Sequence, residues 1–325
     1  MIYNIVMGGK MKTDLDIIIP CYNAKDTLFF TLSSINIQQG VEGFKVYLIN
    51  DKSDYDYQDE VRFFSKNFYI EEIKLKENVG PGGARREGIL RTNSKFIMFI
   101  DSDDVLYYSF AIRDLYNAIK DNDLCISNFI LERDGVKAVK KENAIWLHGK
   151  LYRREFLEKY NINFNNTRAN EDNGFNRLIL LLNPKIGILK KTTYVYRENS
   201  NSITRKNNRN YKIFGLEGFI YNMTWAIDEA LKRNANTVSI PFLATTVLIS
   251  MYYDYLYYIN DKDANYIIKF SKGMLPYYLK YPKIPEKYFN YYVKAKEKDL
   301  RNEHKKVKKV ITFDEFLQKV VDIND

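Results

Sequence analysis

Short apolar runs alternate with amphipathic stretches from Leu15 to about Asn128, the pattern of β-α-β units closing into a mostly parallel sheet. The runs predict strands at 16–20, 45–50, 70–75, 95–100 and 124–128. Apolar positions three and four residues apart predict helices between them at 24–39, 55–67, 83–92 and 109–120. In such sheets ligands lie beyond the carboxyl ends of the strands, so the polar residues just after each run are where chemistry is to be sought. From 145 to 205 the pattern is mixed, with helices predicted at 153–160 and 172–182 and an extended segment at 192–197. After Asn210 come long helical stretches rich in Tyr, Leu and Lys, without a Gly-Pro cluster until 281–285. The expected division is a leader or upstream start at 1–13, an α/β domain at 14–209 with halves at 14–128 and 129–209, and a helical module at 210–325.

Composition narrows this picture. With 325 residues and 46% hydrophobic content the chain can bury a full core, and disorder is excluded. Runs such as 96–100 and 179–182 are far shorter than the roughly 20 apolar residues of a membrane crossing. Residues 1–10 hold too short an apolar stretch for a secretory signal, so a cytoplasmic chain is expected, with peripheral contact to the inner membrane face left open. Cys21 and Cys125 fall on two predicted strands, as buried free thiols do. A net charge of +9 and a pI near 9.1 attract anions: nucleotide diphosphates, an anionic surface or polymer, or nucleic acid. Tyr252, Tyr253, Tyr255, Tyr257 and Tyr258 are expected to be packing, with an acceptor-binding surface as the alternative, and the C-terminal helices leave an oligomer open. The basic run 301–309 predicts a solvated helix face.

The strongest chemical signal is Phe99-Ile100-Asp101-Ser102-Asp103-Asp104, three carboxylates within four residues directly after an apolar strand. Like charges so close raise one another's pKa, so the turn is favourable mainly when a cation or a hydrogen-bonding ligand absorbs the charge. Hard oxygen ligands suit Mg²⁺ or Mn²⁺. An acidic cap before the helix near Ser109 is the bland alternative. The run Gly80-Pro81-Gly82-Gly83 lacks the Lys-Ser or Lys-Thr of a Walker cradle. Its glycines instead suit a tight turn before a helix whose N-terminus faces phosphates.

With Pro20-Cys21-Tyr22-Asn23 ending the first strand, Asn50-Asp51-Lys52-Ser53 the second, and Asn78-Val79-Gly80 through Arg85 opening the helix before the acidic turn, the chain resembles the family 2 glycosyltransferases of the GT-A fold. The resemblance covers about 14–205 and implies an α/β, Rossmann-like, mostly parallel sheet flanked by helices, with 14–128 as the nucleotide-sugar half and 129–209 as the acceptor half. It implies an inverting transferase that moves a sugar from a nucleotide-diphosphate donor, with UDP favoured, to a glycan, wall-polymer or nucleobase acceptor. Asn50 and Lys52 depart from the family's paired acids. Donor contacts are implied for Pro20, Tyr22, Asn23, Asp51, Asn78, Gly80, Arg85, Asp101, Ser102 and Arg197. Arg85 falls either on the phosphates or on Asp101. Asp103 is implied as the ligand of Mn²⁺ or Mg²⁺, with Asp104 as a neighbouring or donor-sugar contact, and the two roles are interchangeable.

A sugar hydroxyl is a poor nucleophile at neutral pH and needs a base. Glu171-Asp172 looks like the family's acidic pair, and Asp172 is the candidate base. His148 is a metal ligand, an acceptor contact or structural, and Trp146 stacks on a sugar or closes the core. Tyr196-Arg197 and the segment reaching Ser202 and Arg205 resemble a loop over the donor phosphates, where Arg197 and Arg205 would bring positive charge. Three rivals stay open: a nucleotidyltransferase, a transferase acting on a DNA nucleobase, and a basic nucleic-acid-binding protein with an inactive domain.

Overall fold

The computed structural model describes residues 10–199, 209–261, 263–302 and 305–323. Its strands are β1 (Met11–Lys12), β2 (Leu15–Cys21), β3 (Val41–Glu42), β4 (Lys45–Asn50), β5 (Tyr69–Lys74), β6 (Phe96–Phe99), β7 (Val105–Leu106), β8 (Leu124–Arg133), β9 (Val136–Lys140), β10 (Lys150–Arg153) and β11 (Ile186–Tyr196). Helices α1 (Lys25–Asn36), α2 (Gln58–Phe64), α3 (Gly80–Arg91), α4 (Ala111–Ile119), α5 (Arg154–Lys159) and α6 (Glu171–Leu181) lie among them. The chain divides into two compact units: Met1–Asn176 with Pro184–Arg205, and Arg177–Asn183 with Lys206–Asp325.

In the first unit, nine strands form one curled sheet in the order β5-β4-β2-β6-β10-β8-β11-β7, with β9 paired to β8. β5, β4, β2 and β6 are parallel, so their carboxyl ends share one edge. All seven residues of β2 are buried, as expected of a strand covered on both faces. Helix α3 lies against β2 so closely that a Cβ at Gly88 would collide with Ile18. At the opposite end of β2, buried Asp16 accepts hydrogen bonds from Ser94 and pairs with Arg154 at 3.1 Å, which ties α5 to the sheet.

Two departures from the sequence expectation bear on the site. β10 was not expected; it pairs antiparallel to both β6 and β8 and ends the purely parallel part of the sheet. Its signal was hidden because Lys150 and Arg153 are polar letters at buried positions. β11 begins at Ile186, well before the expected 192, and its register with β8 shifts twice between Leu189 and Tyr194. Such irregularities re-aim side chains, and here Tyr194 becomes fully buried. A smaller correction concerns α3, which starts at Gly80, so the glycine run forms its first turn and does not precede it.

The second unit holds α7 (Arg209–Lys232), α8 (Ile240–Tyr257), α9 (Ala264–Ser271), α10 (Leu275–Lys280), α11 (Glu286–Asn302) and α12 (Phe313–Asp322). α8 is apolar nearly all round and forms the centre against which the other helices pack. Tyr252, Tyr253 and Tyr255 are buried in that packing, with the hydroxyls of Tyr252 and Tyr253 bound to Ile311 O and Glu297, while Tyr257 is exposed. The expected basic helix face at 301–309 is a correction: α11 ends at Asn302, and residues 305–310 are not helical. There Lys309 pairs with Glu297 at 2.6 Å instead of projecting as part of a charged face. No helix among the described residues is long and apolar enough to cross a membrane.

Candidate active site

The shared edge of β2, β4 and β6 is where the polar turns gather. Asp51, just beyond β4, accepts from the backbone N–H groups of Val79 and Gly80 at 2.7 and 2.8 Å, which holds the first turn of α3. Burial raises its pKa, against those two hydrogen bonds. Asn50 shapes the same loop, accepting from Ser53 N and donating to Glu72. Asn23, after β2, exchanges two hydrogen bonds with Asp54, and Tyr22 is exposed beside it. Asn78 donates to Asp51 O and receives the guanidinium of Arg168. Pro20 pairs with Ile49 inside the sheet.

Arg85 of α3 is the hinge of the site. Its guanidinium donates to Asp101 at 2.5 Å on one side and to Glu171 at 2.8 Å on the other. Burial opposes its charge, but Asp101 and Glu171 outweigh burial and raise its pKa. The approach of Glu171 needs Gly82, where a Cβ would stand 2.7 Å from Glu171 Cγ. Burial pushes the Asp101 carboxyl up, yet Arg85 and His148 overcome it and hold Asp101 well below the usual carboxylate range.

Beyond Asp101 the acidic turn is differently compensated. Asp104 is 0% exposed; its carboxylate accepts from the Tyr194 hydroxyl at 2.7 Å and from Arg197 N at 2.8 Å. Tyr194 in turn accepts from Asp101 N, so one phenol ties both ends of the turn. Burial, then Asp101 and Asp103, raises the Asp104 pKa. Asp103 accepts from Asn199 at 2.8 Å, and burial followed by Asp101 raises it too. Nε2 of His148 lies 3.8 Å from Asp101 and 3.6 Å from Asp104, and its Nδ1 is buried without a partner. The imidazole is clamped between aromatic rings, stacked on Tyr196 at 4.7 Å and edge-on to Trp146, and burial lowers its pKa.

Asp101, Asp104 and His148 thus offer three ligand atoms within 4.8 Å of one another. Ligands around a small divalent ion, each at about 2.1 Å, are separated by ~3–4 Å, and two carboxylates with one imidazole are a donor set such ions accept. Unbalanced negative charge at Asp104 and a His nitrogen facing it are what a cation would relieve, so the residues fit one. Asp103, expected as the ligand, is not in this group, and Ser102 follows Asp101 in the turn.

At the start of α6 the two acids differ. Glu171 is buried and spent on Arg85, whereas Asp172 has no ion pair among the described residues. Burial, and then the charge of Glu171, raises Asp172 to about 7. A carboxylate poised there can take a proton near neutral pH. Lys150 of β10, which sequence reasoning missed, is buried with its Nζ on Trp146 O, and burial lowers it to about 7. Tyr194 was missed as well, a common residue type that nothing in its local pattern marks, while Asn199 falls in the segment expected over the donor phosphates but was given no contact to the acidic turn. The guanidinium of Arg197 lies over the Phe30 ring at 5.3 Å. Ser202 and Arg205 lie outside the described residues.

Comparison with known proteins agrees with this layout. A sequence profile described as glycosyl transferase family 2 matches residues 16–170. The glycosyltransferase GlyA of Streptococcus pneumoniae is 25% identical over 226 residues, 59% of this chain and 31% of that protein. The poly(ribitol-phosphate) beta-glucosyltransferase of Bacillus spizizenii is 27% identical over 203 residues, 56% of this chain and 32% of that protein. The chain therefore spans about a third of the length of these curated relatives. The crystal structure of residues 1–349 of TarS from S. aureus in complex with UDP superposes with a TM-score of 0.64 at 18% identity, covering 88% of each chain, which is a likeness of fold. Taken with the ordered turns at the sheet edge, these matches identify residues 16–170 as a glycosyl transferase family 2 segment, within a chain that has a GT-A fold.

Proposed function

We propose that the chain is a metal-dependent inverting glycosyltransferase that moves a sugar from a UDP-sugar to an acceptor hydroxyl on a bacterial glycan or wall polymer. The observation that carries this reading is the Arg85 bridge: one guanidinium joins Asp101 of the cation-fitting group to Glu171, whose neighbour Asp172 is poised near neutrality. Donor-side acids and a proton acceptor therefore share one rigid frame. The bound UDP of the TarS structure supports the donor class, and the polymer named for the Bacillus spizizenii relative supports the acceptor class.

In this reading Asp101, Asp104 and His148 hold Mn²⁺ or Mg²⁺. When bound, the ion supplies Lewis-acid neutralisation of the diphosphate leaving group. The chain's own residues do the rest. Asp51 and the loops after β2, β4 and β5 receive the nucleoside, as Tyr22 and Asn23 stand in the first and Asn78 in the last. Asp172 removes the proton of the acceptor hydroxyl while the oxygen forms its bond to the anomeric carbon and the bond to the diphosphate breaks on the opposite face. Arg85 holds Glu171 in place and keeps Asp101 ionised, so Asp101 does not compete for that proton.

The test is release of UDP from a panel of UDP-sugars, with Mn²⁺ or Mg²⁺ and with or without candidate acceptors. Activity in Asp104→Asn at wild-type metal dependence, with loss confined to Asp103→Ala, would move the ion to Asp103. Full transfer by Asp172→Asn would remove the base assignment.

A further inference from the structure

The helical unit contains a cavity of about 240 Å³ that the transferase reading does not use. Leu180, Phe242 and Leu243 give it apolar walls, while Arg177, Ser239 and Tyr292 give it polar ones. Arg177 is the unusual member. Its Nε is buried without a hydrogen-bond partner, and no carboxylate pairs with it among the described residues. The first turns of α8 line the same cavity, and Ser239, at the N-cap of that helix, makes no capping bond with its hydroxyl. A guanidinium without a counter-ion and the positive end of an 18-residue helix therefore face one small space with apolar flanks.

We propose that this cavity binds an organic phosphate: a phosphoryl anion received by Arg177, on a short hydrocarbon or polyol body that rests on Leu180, Phe242 and Leu243. A phosphoryl group suits the site better than a carboxylate. Its several oxygens can meet the planar fork of Arg177 and the α8 end together, whereas a carboxylate has two oxygens and would be used up by the fork. Burial lowers Arg177 to about 10, with the Tyr292 phenol acting in the other direction, so the side chain stays cationic at neutral pH and awaits an anion. The unit's composition agrees: residues 206–325 hold 20 Lys and Arg against 14 Asp and Glu. Soluble phosphate esters, polymer repeats and lipid headgroups share this chemistry. The site is independent of the donor and metal assignments.

Isothermal titration of the full chain, without nucleotide sugar or divalent ion, tests it with dibutyl phosphate, inorganic phosphate and hexanoate as probes. Dibutyl phosphate is expected to bind at least tenfold tighter than either of the others. Arg177→Gln should weaken it tenfold or more, and so should Ser239→Trp, which fills the rim from an exposed position and guards against a misfolded Arg177 variant. Both variants should keep wild-type UDP-sugar hydrolysis, so failure here is separable from failure of the transferase reading. Vesicles of phosphatidylglycerol against phosphatidylcholine identify the source: binding that requires Arg177 and the anionic lipid names a headgroup, and its lack beside dibutyl phosphate binding names a soluble or polymeric ester. Wild-type affinity for dibutyl phosphate in both variants, no binding by the native chain, or equal binding of hexanoate would overturn the proposal.

Discussion

Two acidic turns flank Arg85, one at the tip of β6 and one at the start of α6, and each contains an acid that the guanidinium neutralises and another that it does not. Asp101 and Glu171 are the neutralised members, and they act as struts. The other members diverge. Asp104 is wrapped by hydrogen bonds from Tyr194 and Arg197 and faces an imidazole, the setting in which the proposed cation would stabilise its charge. Asp172 lacks an ion pair among the described residues, and burial, then the charge of Glu171, lifts it to about 7, so its surplus charge is answered by a proton. In the proposed function the same residue type on either side of one arginine is thus assigned to metal or to acid-base chemistry by its neighbours, with Arg85 standing between the two.

The largest break in this comparison is Asp172→Asn. Transfer should fall by about 10²–10⁴-fold, the usual contribution of a general base, while metal-dependent donor binding persists; UDP release with acceptor and equilibrium binding of donor separate the two. The native enzyme should lose activity as pH falls below about 7. Stability follows with the opposite sign. The native carboxyl holds its proton to about 7 against a reference of 3.8, so raising pH through that window favours the unfolded chain, which has already ionised. Asp172→Asn should therefore be more stable than wild type at pH 8 and no different at pH 3, read from urea midpoints.

Next comes Arg85→Gln, which strands two carboxylates at once. A loss of about 3–5 kcal/mol is expected from denaturation curves at pH 7.5, easing at low pH as the acids protonate. Unchanged stability would show that Asp101 and Glu171 are not held by this pair. Gly82→Ala should cost about 1–3 kcal/mol, because the new methyl collides with Glu171, and should lower transfer without altering the metal requirement. Smallest is Tyr194→Phe, with about 1 kcal/mol lost along with the hydroxyl, and a selective weakening of divalent-ion binding measured by Mn²⁺ titration.

The parallel half of the sheet was legible because β2, β4 and β6 are buried on both faces and appear as unbroken apolar runs. β9 was not, since Val136–Lys140 is an exposed strand with no alternation of apolar and polar residues, and β10 was not, since a buried lysine cannot be told from a surface one by its letter. The acidic turn and the pair 171–172 stood out as charge clusters. What separates Asp103 from Asp104, or Glu171 from Asp172, was beyond reach, because the deciding partners Tyr194, Asn199 and Arg85 come from 86 to 96 residues away in the chain.

The double register shift in β11 sets how this chain can be altered. A strand exposes alternate residues to opposite sides, so adding or removing one residue between Leu189 and Tyr194 would swing the tyrosine hydroxyl out of the acidic turn and bring a neighbour inward. By contrast, the β8–β9 hairpin is exposed at its tip, where a Cβ on Gly135 would meet nothing within 4 Å and only the Glu198 carboxylate receives the backbone N–H groups of Asp134 and Gly135 among the described contacts. Relatives and engineered variants should therefore differ freely in length at that hairpin and keep an unvarying count across the bulge.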